Sequence, residues 1–436
     1  MTVARDDDSG TWEGPSGGGE VPPIGGAPDR GAPDREVVLA RAAWSRLVEP
    51  GDLVAGALVE ALGPVEAWEW VRAALDRGRA DGGPQEGLGQ QARAQLDRAL
   101  GGWAARWDGV DPRRDVDGIV RLGGRVLVPE DPGWPASLDD LGPATPACLW
   151  QLGEAPLVRL VDRSVAVIGA RACTSYGERV AAEIVGGLVD AGWTVVSGGA
   201  YGIDAVAHRA ALAAGGRTVA VLAGGLDRPY PAGNVRLLAA ATQEGALISE
   251  VPLGSVPSRT RFLQRNRLIA ALTRATVVVE AAWRSGALST AGHAAGLLRP
   301  VGAVPGPVTS AASAGCHRLL RDGAAVCVTD AAEVLELAGG RPAPEPILDL
   351  APGDGMGPMA RRVLDALPLR SGVPAEALTR PAGLALGDLL ACLGRLELAG
   401  FAVQHDGRWR RSSRGAHDGH EPSSATAVGP ARPDDG

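Results

Sequence analysis

The 436-residue sequence contains no lysine, so all 43 of its basic side chains are arginine. A Walker A loop needs a lysine to reach the terminal phosphates of a nucleotide, which excludes ATP hydrolysis of the P-loop kind. The five cysteines, at positions 148, 173, 316, 327 and 392, are scattered and never form a C-x-x-C pair. Neither a disulfide framework nor a zinc knuckle is expected from them. The N-terminus MTVARDDDSG has no basic segment followed by an apolar run, and no later stretch approaches bilayer length. The expectation is a cytoplasmic protein with no membrane association. G-x-S-x-G and H-E-x-x-H are both absent, which removes two common hydrolase templates. The formal net charge of -8 argues against coating of nucleic acid by the whole molecule. Any polyanion site must be a local basic patch.

Such a patch is present. Residues 259–274, RTRFLQRNRLIAALTR, hold five arginines and no acid, and the nearest carboxylates on either side are Glu250 and Glu280. Guanidinium groups match phosphate oxygens in a planar fork, so this run reads as a polyanion site or as a solvated helix face. The abundance of Ala, Gly and Pro points to a G+C-rich codon bias, under which single arginines mean little and clusters count.

The ends, 1–35 and 413–436, are rich in Gly, Pro, Asp and Ser and are expected to be disordered. Residues 36–110 show apolar positions at helical spacing, broken by Pro50-Gly51 and Gly63-Pro64, as in a small helical domain of the helix-hairpin-helix or SAM type. Trp68, Trp70, Trp103 and Trp107 fall at helical spacing and are expected to pack its core rather than stack on bases. A connector over 111–160 leads into 161–340, where SVAVIG, WTVVS, RTVAVLA, ALIS, TVVVE and VGAVP alternate with Ala-rich helical segments. That is the pattern of an α/β fold with a doubly wound, Rossmann-like parallel sheet. A linker over 341–356 precedes a domain at 357–412 whose helices and final hairpin, FAVQHDGRWR, suggest a winged helix.

Ligands of an open parallel sheet bind where its strands end at their carboxyl side. Glycine-rich turns follow nearly every strand: Gly169-Ala170-Arg171, Ser197-Gly198-Gly199-Ala200-Tyr201-Gly202, Gly224-Gly225, Ser285-Gly286-Ala287 and Gly306. Glycine lets backbone approach a ligand, and helix N-termini offer free amides to an anion, so a phosphate pocket is expected. The first turn lacks G-x-G-x-x-G, so no dinucleotide cofactor is implied. Asp204, Asp227, Glu250 and Glu280 lie near the same strand ends and could surround Mg²⁺ as in a nuclease, but their spacing suits arginine positioning and helix capping equally well. His208 falls on an Ala-rich helix and reads as a packing or phosphate-facing residue.

The segments VAVIGARACTSYG, VVSGGAYGIDAVAHRAAL, TVAVLAGGLDRPYPAGN, LISEVP, FLQRNRLIAAL, VVVEAAWRSGALSTA, AVPG and GCHRLLRDGA occur in this order through roughly 160–340. Together they resemble the DNA-processing protein A family, DprA or Smf. The resemblance implies a non-catalytic protein that binds single-stranded DNA, protects it, and loads a RecA-type recombinase during natural transformation. It implies a homodimer and no cofactor. It also implies phosphate contacts from Gly169, Ala170 and Arg171, from Ser197, Gly198, Gly199, Tyr201 and Gly202, from Arg265, Asn266 and Arg267, and from Ser285, Gly286, Ser289 and Thr290.

The sequence departs from the family pattern at several points. Ala170 replaces a serine, Tyr201 an arginine, Leu263 a proline, and His317 an asparagine. Tyr201 loses a charge and supplies a ring that either stacks on a base or packs against its neighbours. In the C-terminal domain the expected recognition helix, Leu386 to Leu398, carries Asp388, Arg395 and Glu397 among mostly apolar residues, which is poor for entering a DNA groove and suits a protein contact at least as well. Arg408, Arg410, Arg411 and Arg414 remain available for backbone phosphates. Two other functions fit the fold class: a nucleotide phosphoribohydrolase, whose P-G-G-x-G-T-x-x-E signature is absent, and a nucleotide-sensing module.

Overall fold

The computed structural model describes residues 33–77, 89–340, 358–369 and 371–412. The linker expected at 341–356 and nearly all of both expected tails, Arg414 included, lie outside the described residues. The chain divides into two compact units, one ending at Pro342 and one beginning at Ala343.

Among the described residues the first unit opens with four helices, α1 (Arg35–Leu47), α2 (Leu53–Leu62), α3 (Pro64–Arg77) and α4 (Gln90–Ala104). Their boundaries follow from local chemistry. Asp34 and Asp52 cap α1 and α2 through their carboxylates, Gly63 ends α2 at a φ of 82°, and Pro64 opens α3, where a missing N–H costs nothing. Trp44 sits at the centre of this bundle, edge-on to Trp68 at 6.0 Å and to Trp103 at 5.6 Å, and Trp107 lies 5.6 Å from Trp68. Trp103 also donates to the capping carboxylate of Asp52 at 2.9 Å. These rings build a core.

A fifth helix, α5 (Pro112–Arg121), leads to two short strands, β1 (Arg125–Leu127) and β2 (Leu149–Leu152), and to α6 (Leu157–Asp162). Then come β3 (Ser164–Ile168), α7 (Ser175–Asp190), β4 (Thr194–Ser197), α8 (Ile203–Ala213), β5 (Thr218–Leu222), α9 (Val235–Glu244) and β6 (Ala246–Ser249). After these follow α10 (Arg259–Leu272), β7 (Ala275–Val278), α11 (Ala287–Gly296), β8 (Val301–Ala303), α12 (Ala314–Arg321), β9 (Val326–Cys327) and α13 (Ala331–Leu337). One nine-stranded sheet results, in the order β1-β2-β6-β5-β4-β3-β7-β8-β9. Strands β3 to β9 run parallel, and β2 joins antiparallel to β6, pairing Trp150 with Ser249. The connector thus enters the sheet as its antiparallel edge. Two apolar layers cover the sheet, one containing Leu268, Ile269 and Ala291 and the other Ile184, Leu188 and Val206. Because both faces are covered, the central strands are apolar throughout, as the continuous runs in the sequence required.

Chain order proceeds outward from β3 through β4, β5 and β6, then returns to the other flank of β3 with β7. This reversal makes the loops after β3 and β7 diverge and opens a crevice at their carboxyl ends, where ligands of such sheets bind.

The second unit contains α14 (Pro358–Ala366), β10 (Val373–Pro374), α15 (Ala375–Ala382), α16 (Leu386–Leu398), β11 (Ala402–His405) and β12 (Arg408–Arg411), with strands ordered β10-β12-β11. Asp406 and Gly407 close the hairpin with φ of 49° and 73°. Two consecutive residues at positive φ match the twist of the flanking strands. Leu389, Leu393, Leu396 and Trp409 lie in its own core, while Leu386, Leu390 and Leu398 of α16 face solvent.

Candidate nucleic-acid interface

The loops after β3 and β4 interlock. Gly202 has a φ of 75°, and a Cβ there would stand 2.1 Å from the Ala170 carbonyl oxygen and 2.5 Å from that of Arg171. Only glycine fits this approach. The Ile203 amide then donates to the Ala170 carbonyl at 3.1 Å. A Cβ at Gly169 would likewise lie 2.6 Å from the Ile203 side chain and 2.9 Å from the Glu280 carbonyl oxygen. In the second loop, the buried carboxylate of Asp204 accepts from the amides of Gly198 at 3.1 Å and Ala200 at 3.4 Å. Ser197 donates its hydroxyl to Val167, and Asn234 donates to the carbonyls of Gly199 and Ala200, each at 3.0 Å. Several donors expected to face phosphate are thus engaged inside the protein, and they fix the loop's shape.

Helix α10 sorts the arginine run. Ser258 caps it by accepting from the Arg261 amide. Arg259 is exposed and shows no internal partner among the described residues. Arg261 grips Glu49 with two bonds of 2.9 and 3.0 Å, tying α10 to the N-terminal helices. Arg265, only 6% exposed, lies directly under Gly198, donating to its carbonyl at 2.7 Å and also to that of Val221. Asn266 donates to the Gly286 carbonyl at 3.4 Å, joining α10 to the loop after β7. Arg267, 3% exposed, forms a two-bond ion pair with the buried Glu250 at 2.9 and 2.7 Å. Arg274 bonds Asp162 at the far end of the helix. The structure brings Gly198, Arg265, Asn266 and Gly286 into contact through this helix, while Arg267 is directed towards Glu250.

Ser285 accepts from the Ala287 amide at the start of α11, Gly286 is exposed, Ser289 is half-buried, and Thr290 is buried beneath them. The carboxylates do not converge. Glu280 accepts from the amide and hydroxyl of Thr174, Asp227 from the Gly254 amide, and Glu250 pairs with Arg267. Among the described residues no group of three or more His, Cys, Asp or Glu side chains is placed to hold a metal.

Burial lowers the pKa of Arg265 to about 10, an effect that nearby Asp204 opposes and Arg171 reinforces, so the group stays charged at neutral pH. His208 lies fully buried behind it, its Nδ1 2.7 Å from the Thr218 hydroxyl. That hydroxyl donates to the Val195 carbonyl, so the imidazole is the donor in the contact. Burial, with the Arg265 charge, pushes its pKa down to about 4. A group with a depressed folded pKa gives stability that is complete above its unfolded pKa and is lost as pH falls through the folded one. His208 should therefore contribute a loss of about 3 kcal/mol between roughly pH 6.5 and pH 4. Urea unfolding of wild type and His208→Gln at pH 7 and pH 4.5 checks this; a His208→Gln variant with an unchanged pH dependence would refute it.

The exposed surface of the crevice combines Arg171 with a cluster of aromatic and arginine side chains. The Arg171 guanidinium lies 5.0 Å from the centre of the Phe262 ring, with Arg265 on the same ring at 5.9 Å and Tyr230 beside it at 5.8 Å. Arg228, whose side chain is 84% exposed, stands on the Tyr230 loop, and Arg284 is exposed on the loop after β7. Phe262, Tyr230 and Arg228 were not among the residues expected at the site. The available signal was Phe262 itself, one of two phenylalanines in the whole sequence and set inside the arginine run.

The family described as DNA recombination-mediator protein A matches residues 125–339. A Mycobacterium tuberculosis protein named as a DNA processing protein DprA is 45% identical over 394 residues, covering 86% of this chain and 95% of its own. The chain belongs to the DprA/Smf family. Protein Smf of Synechocystis is 31% identical over 412 residues, covering 85% of this chain and 97% of its own. The X-ray structure of DprA from Streptococcus pneumoniae superposes with a TM-score of 0.55 and 29% identity, covering 69% of this chain and 97% of that one. As a DprA/Smf member the protein is a DNA-processing protein. No helix among the described residues is long and apolar enough to cross a membrane.

Proposed function

We propose that this DprA/Smf protein binds single-stranded DNA non-catalytically along the carboxyl edge of its sheet, protects it, and hands it to a RecA-type recombinase. One observation carries the DNA-binding reading. Around the crevice the carboxylates of Asp204, Glu250 and Glu280 are buried and bonded, whereas Arg171, Arg228, Arg259 and Arg284 are exposed and outnumber the exposed acids Glu178 and Asp227, the latter 3.8 Å from Arg228. A protein of charge -8 thereby presents positive charge at this edge. Phosphate contacts are assigned to these four arginines, helped by Ser285, Gly286 and Ser289. Gly169, Ala170, Ser197, Gly198, Gly199, Gly202 and Thr290 shape the crevice, and Arg265, Asn266 and Arg267 hold its wall in place from inside. Such contacts grip backbone without reading sequence.

The recombinase partner is supported by the family's description as a recombination mediator. The C-terminal unit is read as winged-helix-like, and the exposed leucines of α16, with Asp388 and Glu397 beside them, suit a protein contact. Homodimerisation and a role in DNA uptake follow from the family resemblance.

Gel retardation with oligo-dT and with duplex of equal length, across a salt titration, tests the reading. The single strand should bind more tightly, with a log–log salt slope of about -3 if all four arginines engage phosphates at about -0.7 each. Equal binding of both forms, or a slope near zero, would overturn it.

A further inference from the structure

Aromatic residues are scarce in this chain, at 4% of the sequence, and most of the described ones are buried or half-buried. Among the described residues those classed as exposed are Tyr201 at 50%, Tyr230 at 51% and Trp283 at 52%. All three lie on loops that leave the carboxyl ends of strands of the same sheet: Tyr201 after β4, Tyr230 after β5 and Trp283 after β7. In the sheet these strands stand in the order β5-β4-β3-β7, so the three rings are distributed along one edge in the order Tyr230, Tyr201, Trp283. Neighbouring strands are about 4.8 Å apart, which spreads the outer two loops over roughly 14 Å.

Leaving three large apolar rings in water at one edge forgoes their burial, and each ring is held there by specific contacts. The Tyr201 hydroxyl accepts from the Gly233 amide at 3.3 Å. A Cβ at Gly233 would lie 2.7 Å from that hydroxyl, so the absent side chain gives the ring its seat. Tyr230 leans on Phe262 at 5.8 Å. Trp283 carries the Arg318 guanidinium 5.2 Å from its ring centre and leaves half of its surface in solvent. Guanidinium groups accompany the rings: Arg228 on the Tyr230 loop, Arg171 against Phe262 beside Tyr230, and Arg318 over Trp283, with Arg284 next to it in sequence. Cations beside open aromatic faces are what a sequence-tolerant single-strand binder needs, since every base has a face to stack and every nucleotide a phosphate.

We propose that Tyr230, Tyr201 and Trp283 form a base-stacking track that leads a single strand across the sheet edge, with Trp283 and Arg318 as a separate nucleotide subsite beyond the Phe262 crevice. This rests on the single-stranded DNA reading and adds to it the direction of the strand and a contribution from the bases. An exposed aromatic patch that served protein docking would not distinguish bases from bare backbone.

The test compares labelled oligo-dT with an abasic oligonucleotide of equal length and equal phosphate count, by fluorescence anisotropy at fixed salt, on the full chain. Wild type should bind oligo-dT at least about tenfold more tightly than the abasic strand. Trp283→Ala and Tyr201→Ala should each weaken oligo-dT binding on the order of 5- to 100-fold while leaving abasic binding and the salt slope unchanged, and Trp283→Phe should restore most of the loss. Unchanged melting curves show that the variants are folded. Equal affinity of wild type for both strands, or alanine variants that bind oligo-dT like wild type, would overturn the track but leave phosphate-mediated binding standing. Failure of wild type to bind either strand would overturn the underlying reading as well.

Discussion

Arg267→Ala is expected to destabilise the first unit by about 3–5 kcal/mol, the usual cost of leaving one member of a buried ion pair without its partner. The Arg267 and Glu250 side chains are 4% and 11% exposed and joined by two bonds, so truncation strands a carboxylate where water cannot reach it. The loss spreads further, because the Glu250 carbonyl accepts the Ser45 hydroxyl at 2.7 Å, and Ser45 in turn accepts from the buried Trp150 indole at 3.0 Å. Thermal unfolding should shift down on the order of 10 °C. The double change Arg267→Met with Glu250→Leu removes both charges and should be less destabilised than either single truncation. Affinity for oligo-dT per folded molecule should hardly change in any of these variants. A tenfold loss of affinity with unaltered melting would instead make Arg267 a direct DNA contact.

Arg171→Glu combined with Arg259→Glu should abolish most single-strand binding with little effect on folding. Both residues are exposed, and reversal replaces attraction by repulsion at two phosphate positions, which amounts to more than about 100-fold in affinity. The salt slope should become shallower by about 1.4, the equivalent of two single-strand phosphates. The neutral pair Arg171→Gln with Arg259→Gln should lose less affinity but the same slope. A double reversal that binds oligo-dT like wild type would remove the crevice from consideration as the DNA site.

The parallel sheet was legible because SVAVI, TVAVL and ATVV are apolar on every residue or nearly so, which only a strand covered on both faces requires. The edge was less legible. Strands β1 and β9 have three and two residues, too few for a pattern, and β2 is identifiable through its pairing with β1 and β6. The helix carrying the arginine run hides its sorting for a related reason. Its second half, from Arg265 to Leu272, is buried on all sides, so no amphipathic stripe separates inward from outward arginines. Family motifs marked Arg265, Asn266 and Arg267 as belonging to the site. Which atoms they touch depended on Gly198, Glu250 and Gly286, residues from 17 to 67 positions away in sequence. Conversely Phe262 and Tyr230 belong to no charge pattern, and it took the fold to bring them beside Arg171.

The inward turn of Asp204, Glu250 and Glu280 also bears on how a strand arrives. A molecule of charge -8 repels a polyanion from most directions, whereas at this edge Arg171, Arg228, Arg259 and Arg284 are exposed and three of the nearby carboxylates are hidden. On the single-stranded DNA reading, approach would be productive mainly from that side. Such a charge distribution acts on association rates, which salt would slow before it altered the bound complex. The same acidic body would keep a bound strand from wrapping beyond the edge, leaving its flanking nucleotides free for another protein to take up.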